Sequence, residues 1–326
     1  MNCEVADFVK IENSEVDNID LDEFVTRLKR SDVVDIAHIR NVVLRSLQSY
    51  TQDAGFYQLM PILMSPITDP LNHAVYPAEI QYEGRPLRLT ASMIFHKQLA
   101  LRAEGLEKIF IVAPNIRLEK STIKSSANHL LEFSQFDLEI KGATIYDVMK
   151  FINGLMTHVF NQVNAHAGEQ LNKLGRKLPD YALEFPIYSS DELREKYGDN
   201  FEQILSETAT TPCFVTNFKR EFYDRENPDK RNEYNNFDLI YPEGYGEALS
   251  GAEREYEHEQ IIYRMNELQM DLDPYRNYLD AAKRGDIPST AGAGIGIERL
   301  LRFICGKAEI KDIGLFDRSI ATSFLF

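Results

Sequence analysis

The sequence contains no tryptophan and only three cysteines in 326 residues. Cys3, Cys213 and Cys305 lie far apart and show no metal-ligand spacing, which excludes a cysteine-rich zinc module and favours a reduced compartment. No apolar run approaches the roughly 20 residues that a membrane-spanning helix needs, and the acidic N-terminus is unlike a signal peptide. We therefore expect a cytoplasmic protein that has no membrane partner.

Basic residues are also scarce. The chain has 36 Lys and Arg against 51 Asp and Glu, which gives a formal net charge of −15. Proteins that bind nucleic acids use clustered Lys and Arg to neutralise phosphates. The composition therefore predicts that neither tRNA nor another nucleic acid is a partner. Hydrophobic residues make up 44% of the chain, which is enough for a substantial core.

The N-terminal part of the chain differs in composition from the rest. Residues 1–35 are polar and acidic, and we interpret them as an extension of a folded domain that covers 36–326. Residues 55–63 have the pattern of a strand, but the proline at position 61 predicts that this strand lies at a sheet edge. The highly charged stretch 219–233 predicts a surface loop.

A glycine-rich stretch near the end of the chain is the most distinctive pattern. In residues 292–301, three alternate glycines share one face of a strand, and helical spacing begins at Ile297. A face without side chains lets a flat ligand or another backbone come close, and Arg299 at the junction could bind a phosphate. The alternative is a core strand followed by a surface arginine.

Two stretches at 108–119 and 131–140 predict an antiparallel pair of strands. Arg117 and Glu119 share one face of the first strand. The second strand presents an aromatic, an amide and two carboxylates on one face, and apolar residues on the other. We interpret the polar face as a ligand-binding surface, although a solvated face is the alternative. The residues on it are Phe133, Gln135, Asp137 and Glu139.

Other charged residues have two interpretations each. Lys97 lies in a predicted helix after Ser92, a candidate N-cap, and a lysine there is usually a solvated surface residue. Asp238 and Glu247 flank a predicted hairpin and could hold Mg²⁺, or form ordinary ion pairs. Arg254 follows Glu247 by seven residues, at the start of another helical pattern.

Taken together, these stretches resemble the three motifs of the class II aminoacyl-tRNA synthetase catalytic domain, closest to the aspartyl and asparaginyl group. Residues 55–61 are similar to the first motif, 116–119 with 132–139 to the second, and the glycine strand with Arg299 to the third. The resemblance implies an α+β fold in which an antiparallel sheet is flanked by helices. It also implies a homodimer that is joined at the first motif.

The resemblance implies a role for each candidate residue. Arg117 and Arg299 would be the catalytic residues, on the α- and γ-phosphates of ATP, and Phe133 would stack on adenine beside Glu119. Asp238 and Glu247 would bind Mg²⁺. The residues implied for ATP are Arg117, Glu119, His129, Phe133, Gly296 and Arg299, and those implied for L-aspartate are Ser92, Lys97, Gln135, Asp137 and Arg254.

Only a short acidic stretch precedes residue 36, too short for the anticodon-binding barrel of aspartyl- and asparaginyl-tRNA synthetases. In this respect the chain resembles the archaeal-type asparagine synthetase A family. That resemblance implies an aspartate–ammonia ligase that makes asparagine through a β-aspartyl adenylate, with release of AMP and pyrophosphate. The implied reactants are ATP, L-aspartate and ammonia, with Mg²⁺ and without tRNA.

Two further hypotheses remain open at this point. The acyl group could pass to another amine-type nucleophile, or the chain could be a non-catalytic paralogue. Three positions depart from the family pattern and bear on the substrate: Ile94 replaces a glutamine, Asn128 stands where arginine is usual, and Asp317 replaces a proline.

Overall fold

The computed structural model describes residues 21–120, 128–181 and 184–320. The strands in these ranges are β1 (Tyr57–Leu59), β2 (Met64–Ser65), β3 (Val75–Tyr76), β4 (Glu79–Tyr82), β5 (Arg85–Leu89), β6 (Lys108–Ile116), β7 (Leu118–Glu119), β8 (Glu132–Lys141), β9 (Ile187–Ser189), β10 (Cys213–Thr216), β11 (Asn236–Tyr241), β12 (Gly246–Glu253) and β13 (Thr290–Gly296).

The helices in these ranges are α1 (Leu21–Leu28), α2 (Val33–Asp53), α3 (Ile94–Ala100), α4 (Ile145–Lys173), α5 (Ser190–Tyr197), α6 (Phe201–Thr208), α7 (His258–Glu267), α8 (Arg276–Lys283) and α9 (Ile297–Cys305). Short 3₁₀ turns cover Gly198–Asn200, Asp273–Tyr275 and Ile310–Ile313. None of the described helices is long and apolar enough to cross a membrane.

The fold is built on an eight-stranded sheet with the order β1-β6-β8-β13-β12-β11-β10-β9. The strands from β6 to β10 are antiparallel neighbours, whereas β1 pairs in parallel with β6 and β9 in parallel with β10. The predicted α+β class and antiparallel sheet are confirmed, and the two parallel edge pairs make the sheet mixed. β1 is an edge strand, as the proline at position 61 predicts.

Alternation along the strands separates an apolar face from a polar one. On the apolar face, Phe110, Phe136 and Leu138 pack against the buried sides of α2, α4 and α9. Apolar residues at helical spacing give each of these helices one buried face, so helix and sheet bury their apolar surfaces against each other. This layer is the main core, and it leaves the opposite face of the sheet open for polar side chains.

The glycine strand β13 lies between β8 and β12 in the middle of the sheet. Its three alternate glycines pair with three polar residues on one face of β8: Gly292 with Glu139, Gly294 with Asp137, and Gly296 with Gln135. A Cβ atom at Gly292 would overlap the Glu139 carboxylate, and one at Gly294 would overlap the Gln135 amide. The side-chain-free face therefore accommodates the polar side chains of the neighbouring strand.

The N-terminal helix packs against the C-terminal part of the chain. Arg27 of α1 donates hydrogen bonds to the carbonyls of Gly314 and Leu315, at 3.2 and 3.3 Å. Arg30 binds Asp312 at 3.0 Å. Residues 21–35 are thus docked on the domain, whereas residues 1–20 lie outside the described ranges. The division at residue 36 stays a prediction.

Candidate active site

A cavity opens on the polar face of the sheet. It is lined by β8, β12 and β13, by α3 and the start of α9, and by two loops at 69–73 and 220–224. The residues assigned to the site from the sequence line this cavity, with two exceptions. Asp238 binds the lining residue Arg220 at 2.7 Å, and Glu139 binds the lining residue Arg254 at 3.1 Å. The sheet face predicted to bind a ligand therefore forms the floor of the cavity.

Arg117 and Phe133 lie together at one end of the cavity. The Arg117 guanidinium carbon is 5.1 Å from the centroid of the Phe133 ring, a cation–π distance, and its Nε donates to the Ala91 carbonyl at 3.3 Å. The ring that we expected to stack on adenine is therefore in contact with the arginine that we expected on the α-phosphate. A guanidinium group and an aromatic ring both present flat surfaces on which a nucleobase can stack.

Arg299 presents a second guanidinium from the first turn of α9. Its Nη1 lies 3.2 Å from a carboxylate oxygen of Glu247 on β12. Burial opposes ionisation of Glu247, but the nearby guanidinium groups of Arg299 and Arg220 outweigh it and lower the pKa of this carboxyl. Glu247 is therefore an ionised carboxylate inside the cavity, and Arg299 is its partner.

Asp238 is placed beside this ion pair. Burial raises its pKa to about 7, Arg220 opposes that change, and the charge of Glu247 adds to it. The two carboxylates on neighbouring strands thus influence each other, as expected for two groups that could share a cation. No set of three or more His, Cys, Asp or Glu side chains among the described residues could hold a metal. Mg²⁺ commonly takes one or two carboxylates and completes its shell with phosphate oxygens, so this pair fits a phosphate-bound ion.

Two buried cations occupy the other end of the cavity. Lys97 is 3% exposed, and its Nζ lies 2.9 Å from Asp137 and 3.4 Å from Glu139. Arg254 binds Glu139 at 3.1 Å and donates to the Gly292 carbonyl at 3.0 Å. The interpretation of Lys97 as a surface residue is wrong. Both cations are already paired with protein carboxylates, so neither is an unpaired charge reserved for a substrate carboxylate.

One carboxylate oxygen of Asp137 has no hydrogen-bond partner among the described residues. Its Oδ1 binds Lys97, but its buried Oδ2 accepts no hydrogen bond from the described residues. An unsatisfied buried acceptor costs roughly 1–3 kcal/mol, so such atoms often mark the place of a ligand donor. Gln135, which lies two positions earlier on β8, is held by the Asn115 side-chain amide at 2.5 Å. This end of the cavity can therefore accept an ammonium group.

The stretch 219–233 is only partly the surface loop that its charge predicts, because residues 228–232 are exposed whereas residues 222–224 are buried. Phe222 and Tyr223 within it are buried, and Tyr223 donates a hydrogen bond to Asp69 at 3.0 Å. Burial and the charge of Asp224 raise the pKa of Glu221 to about 8, against the effect of Arg220. The two adjacent aromatic residues were the signal that this charged stretch is anchored in the core.

Three smaller expectations have mixed outcomes. α3 begins at Ile94, whose N–H donates to the Ser92 hydroxyl at 3.2 Å, so Ser92 lies one position before the helix boundary residue Met93. Burial and the charge of Arg299 lower the pKa of His129, which lines the cavity. Asn128 also lines the cavity, and it accepts a hydrogen bond from Arg302.

The loop at 69–73 lines the Arg117 end of the cavity, and none of its residues was assigned to the site from the sequence. The imidazole Nε2 of His73 lies 3.0 Å from both carboxylate oxygens of Glu119. β3, which follows this histidine, pairs with β7, which carries Glu119. His73, Asp69 and Asn72 carried no periodic pattern in the sequence, so only the three-dimensional arrangement identifies them.

Comparison with known proteins assigns these features to a family. Residues 17–319 match the model for class II tRNA synthetases (D, K and N). The asparagine–tRNA ligase of Thermoplasma acidophilum is 26% identical over 312 residues, which cover 90% of this chain and 71% of that protein. The aspartate–tRNA(Asp/Asn) ligase of Methanopyrus kandleri is 29% identical over 316 residues, covering 91% and 70%.

Among solved structures, the asparaginyl-tRNA synthetase of Pyrococcus horikoshii with asparaginyl-adenylate superposes on this fold with a TM-score of 0.81. The sequence identity is 23%, and the superposition covers 93% of this chain and 73% of that one. At 23% identity this structural similarity is evidence for the fold alone.

These relatives contradict two predictions from the sequence. The chain was expected to be an aspartate–ammonia ligase that makes asparagine, and to have no tRNA partner, whereas the relatives are tRNA ligases. The first prediction relied on the few residues before the catalytic domain, and the start of a sequence does not determine what a catalytic site acts on. The second relied on net charge, a sum over the whole surface that says nothing about a local contact with one RNA end.

Proposed function

This chain belongs to the class II tRNA synthetases (D, K and N), and we propose that it activates asparagine or aspartate with ATP and transfers the acyl group to tRNA. The observation that carries the proposal is a single cavity with two chemically different ends. Arg117, Phe133 and Arg299 provide cations and an aromatic ring for a nucleotide, while Lys97 and Asp137 lie at the other end.

The amino-acid end suits a zwitterion with a short oxygen-bearing side chain. The Oδ2 of Asp137, which accepts no hydrogen bond from a described residue, could accept one from the α-ammonium group. Lys97 and Arg254 have N–H donors beyond those that bind Asp137, Glu139 and the Gly292 carbonyl, and these can donate to a side-chain oxygen of asparagine or aspartate. A long apolar side chain would leave these buried polar groups unpaired, which disfavours it strongly.

The first step joins the α-carboxylate to ATP. A carboxylate oxygen attacks the α-phosphorus, the bond to the bridging oxygen of the leaving group breaks, and pyrophosphate departs with the electron pair. Arg117 neutralises the charge that develops on the α-phosphate, and Arg299 turns from Glu247 to the γ-phosphate. Electrostatic stabilisation and alignment of the two reactants supply the acceleration, without a residue that must transfer a proton.

Asp238 and Glu247 would hold Mg²⁺ in this scheme. A bound divalent cation would add charge neutralisation on the phosphate oxygens. Glu247 is ionised at neutral pH and needs no proton loss to act as a ligand. Asp238 has a pKa of about 7, so a cation would favour its ionised form and bind more tightly as the pH rises past neutrality.

The second step passes the acyl group to tRNA. A ribose hydroxyl at the RNA 3′ end attacks the acyl carbonyl carbon, and the mixed anhydride bond breaks with AMP as the leaving group. Because the chain carries a net charge of −15, we expect the RNA to be held by a local contact near the cavity. Salt should weaken this binding.

We also propose that the protein acts as a homodimer through the β1 edge of the sheet. Apolar side chains are exposed along this edge and the segment that follows it, namely Tyr57, Met60, Ile62, Leu63 and Met64. A strand edge that no other described strand pairs with, next to exposed apolar side chains, favours association, and a second copy would cover both.

The test is acylation of tRNA by the purified full chain, with ATP, Mg²⁺ and radiolabelled asparagine, aspartate or lysine in parallel. We expect acid-precipitable tRNA label with asparagine or aspartate, and none with lysine. Formation of the adenylate without labelled tRNA would refute the transfer step alone. Absence of both with all three amino acids would refute the proposal.

A further inference from the structure

A histidine outside the predicted site contacts the residue that the sequence assigns to base recognition. We infer that His73 is a nucleotide-positioning residue, which orients the Glu119 carboxylate to accept a hydrogen bond from the amino group of adenine. This inference rests on the proposed function, because it assumes that ATP binds in the cavity. It adds a residue on a loop distant in sequence from the strand that carries Glu119.

The contact is held by the backbone as well as by the side chains. Val75 pairs with Glu119 and Tyr76 with Leu118, so the loop that carries His73 is attached to the strand that carries the carboxylate. At its other end the loop is anchored where Tyr223 donates to Asp69 and the Leu71 N–H donates to the same carboxylate at 3.0 Å. His73 therefore approaches Glu119 from a segment fixed on both sides.

The geometry of the pair fixes the Glu119 side chain. The His73 Nε2 is equidistant from the two carboxylate oxygens, at 3.0 Å from each. A carboxylate only accepts hydrogen bonds, so this nitrogen carries the proton. The Glu119 side chain is 2% exposed, whereas His73 is 36% exposed. The carboxylate is thus removed from water and held by a donor at the cavity wall, with lone pairs left for a second donor.

A fixed, desolvated carboxylate discriminates between purines. The exocyclic amino group of adenine donates to it, whereas the carbonyl oxygen at the same position of hypoxanthine or guanine would face it as a second acceptor. A site built to bind a donor rejects an analogue that lacks it, because the buried acceptor is then left unpaired. Phe133 and Arg117, which line the same cavity, lie where the purine ring would stack.

The experiment compares ATP with inosine triphosphate, in which a carbonyl oxygen replaces the exocyclic amino group and the adjacent ring nitrogen N1 carries a hydrogen. It uses the full chain as wild type, His73→Ala, His73→Gln and His258→Ala. In His73→Gln the new side-chain amide would still supply an N–H to Glu119. His258 is a matched control, because its ring nitrogen also lies 3.1 Å from a glutamate, Glu259, but away from the cavity.

We expect His73→Ala to raise the KM for ATP about tenfold and to lower the preference for ATP over inosine triphosphate by a similar factor, with the amino-acid KM unchanged. His73→Gln should restore most of the preference, and His258→Ala should match the wild type. The inference would be overturned if His73→Ala kept the wild-type preference for ATP over inosine triphosphate, or if it raised only the KM for the amino acid.

Direct binding of the two nucleotides, measured by calorimetry, separates this inference from the proposed function. If the wild type binds ATP in preference to inosine triphosphate but activates no amino acid, the proposed function fails and the role of His73 is read from binding alone. If it binds the two nucleotides equally, the inference fails whatever the activity.

Discussion

Removal of the buried ammonium group of Lys97 tests the charge arrangement at the amino-acid end. Lys97 lies 2.9 Å from Asp137 and 3.4 Å from Glu139, and all three side chains are at most 3% exposed. In Lys97→Met the side chain keeps its approximate volume, but two buried carboxylates lose a shared cation. Breaking a buried pair from one side costs about 3–5 kcal/mol of unfolding free energy, and Arg254, which stays on Glu139, should keep the loss near the lower value.

The assay is urea unfolding followed by circular dichroism, since the chain has no tryptophan. The matched double variant Lys97→Met/Asp137→Asn removes one charge of each sign and should recover part of the loss, with a coupling energy of about 1–3 kcal/mol. Both variants should lose amino-acid activation. A loss below about 1 kcal/mol in the single variant, or strict additivity in the double variant, would refute the reasoning.

Three further predictions follow from the same structure. Gly294→Ala should destabilise the fold and abolish amino-acid binding, since its Cβ would overlap the Gln135 amide, whereas Gly168→Ala on α4 meets open space and should be neutral or slightly stabilising in thermal unfolding. Met60→Asp, at a residue that is 83% exposed, should shift sedimentation from dimer to monomer, and an unchanged dimer would place the interface elsewhere. For Glu221 the folded pKa of about 8 lies above the unfolded value of 4.5, so its contribution to stability falls as the pH rises between them. The urea midpoint of Glu221→Gln should therefore rise relative to that of the wild type as the pH increases from 5 to 8.5. A difference between the two midpoints that does not change with pH would contradict this assignment.

Much of the site could be predicted because it lies on strands. The period of two placed Gln135, Asp137 and Glu139 on one face, and the same period in the glycine strand explains why that face has room for them. Strand alternation is a local property, so a sequence pattern records it directly. The edge position of β1 was likewise predicted from a local feature, the proline at position 61, which cannot donate a hydrogen bond within a sheet.

The parts that could not be predicted come from loops and from pairing partners. Asp69 and His73 lie on a loop without periodicity, and their roles arise from contacts with Tyr223 and Glu119 that are distant in sequence. Likewise, Lys97 has the pattern of a surface lysine, and its burial depends on carboxylates of a strand some 40 residues away. The prediction of ammonia as the acceptor failed for a different reason: it was drawn from the length of the stretch before residue 36, which does not determine the acceptor of the acyl group.

The most direct test of the central claim is amino-acid-dependent exchange of labelled pyrophosphate into ATP, measured on the purified full chain with Mg²⁺. We predict exchange that requires asparagine or aspartate and that falls by at least about a hundredfold in Arg117→Ala, because this arginine would neutralise charge that develops in the transition state. Exchange that does not depend on either amino acid, or that survives loss of Arg117, would contradict the account.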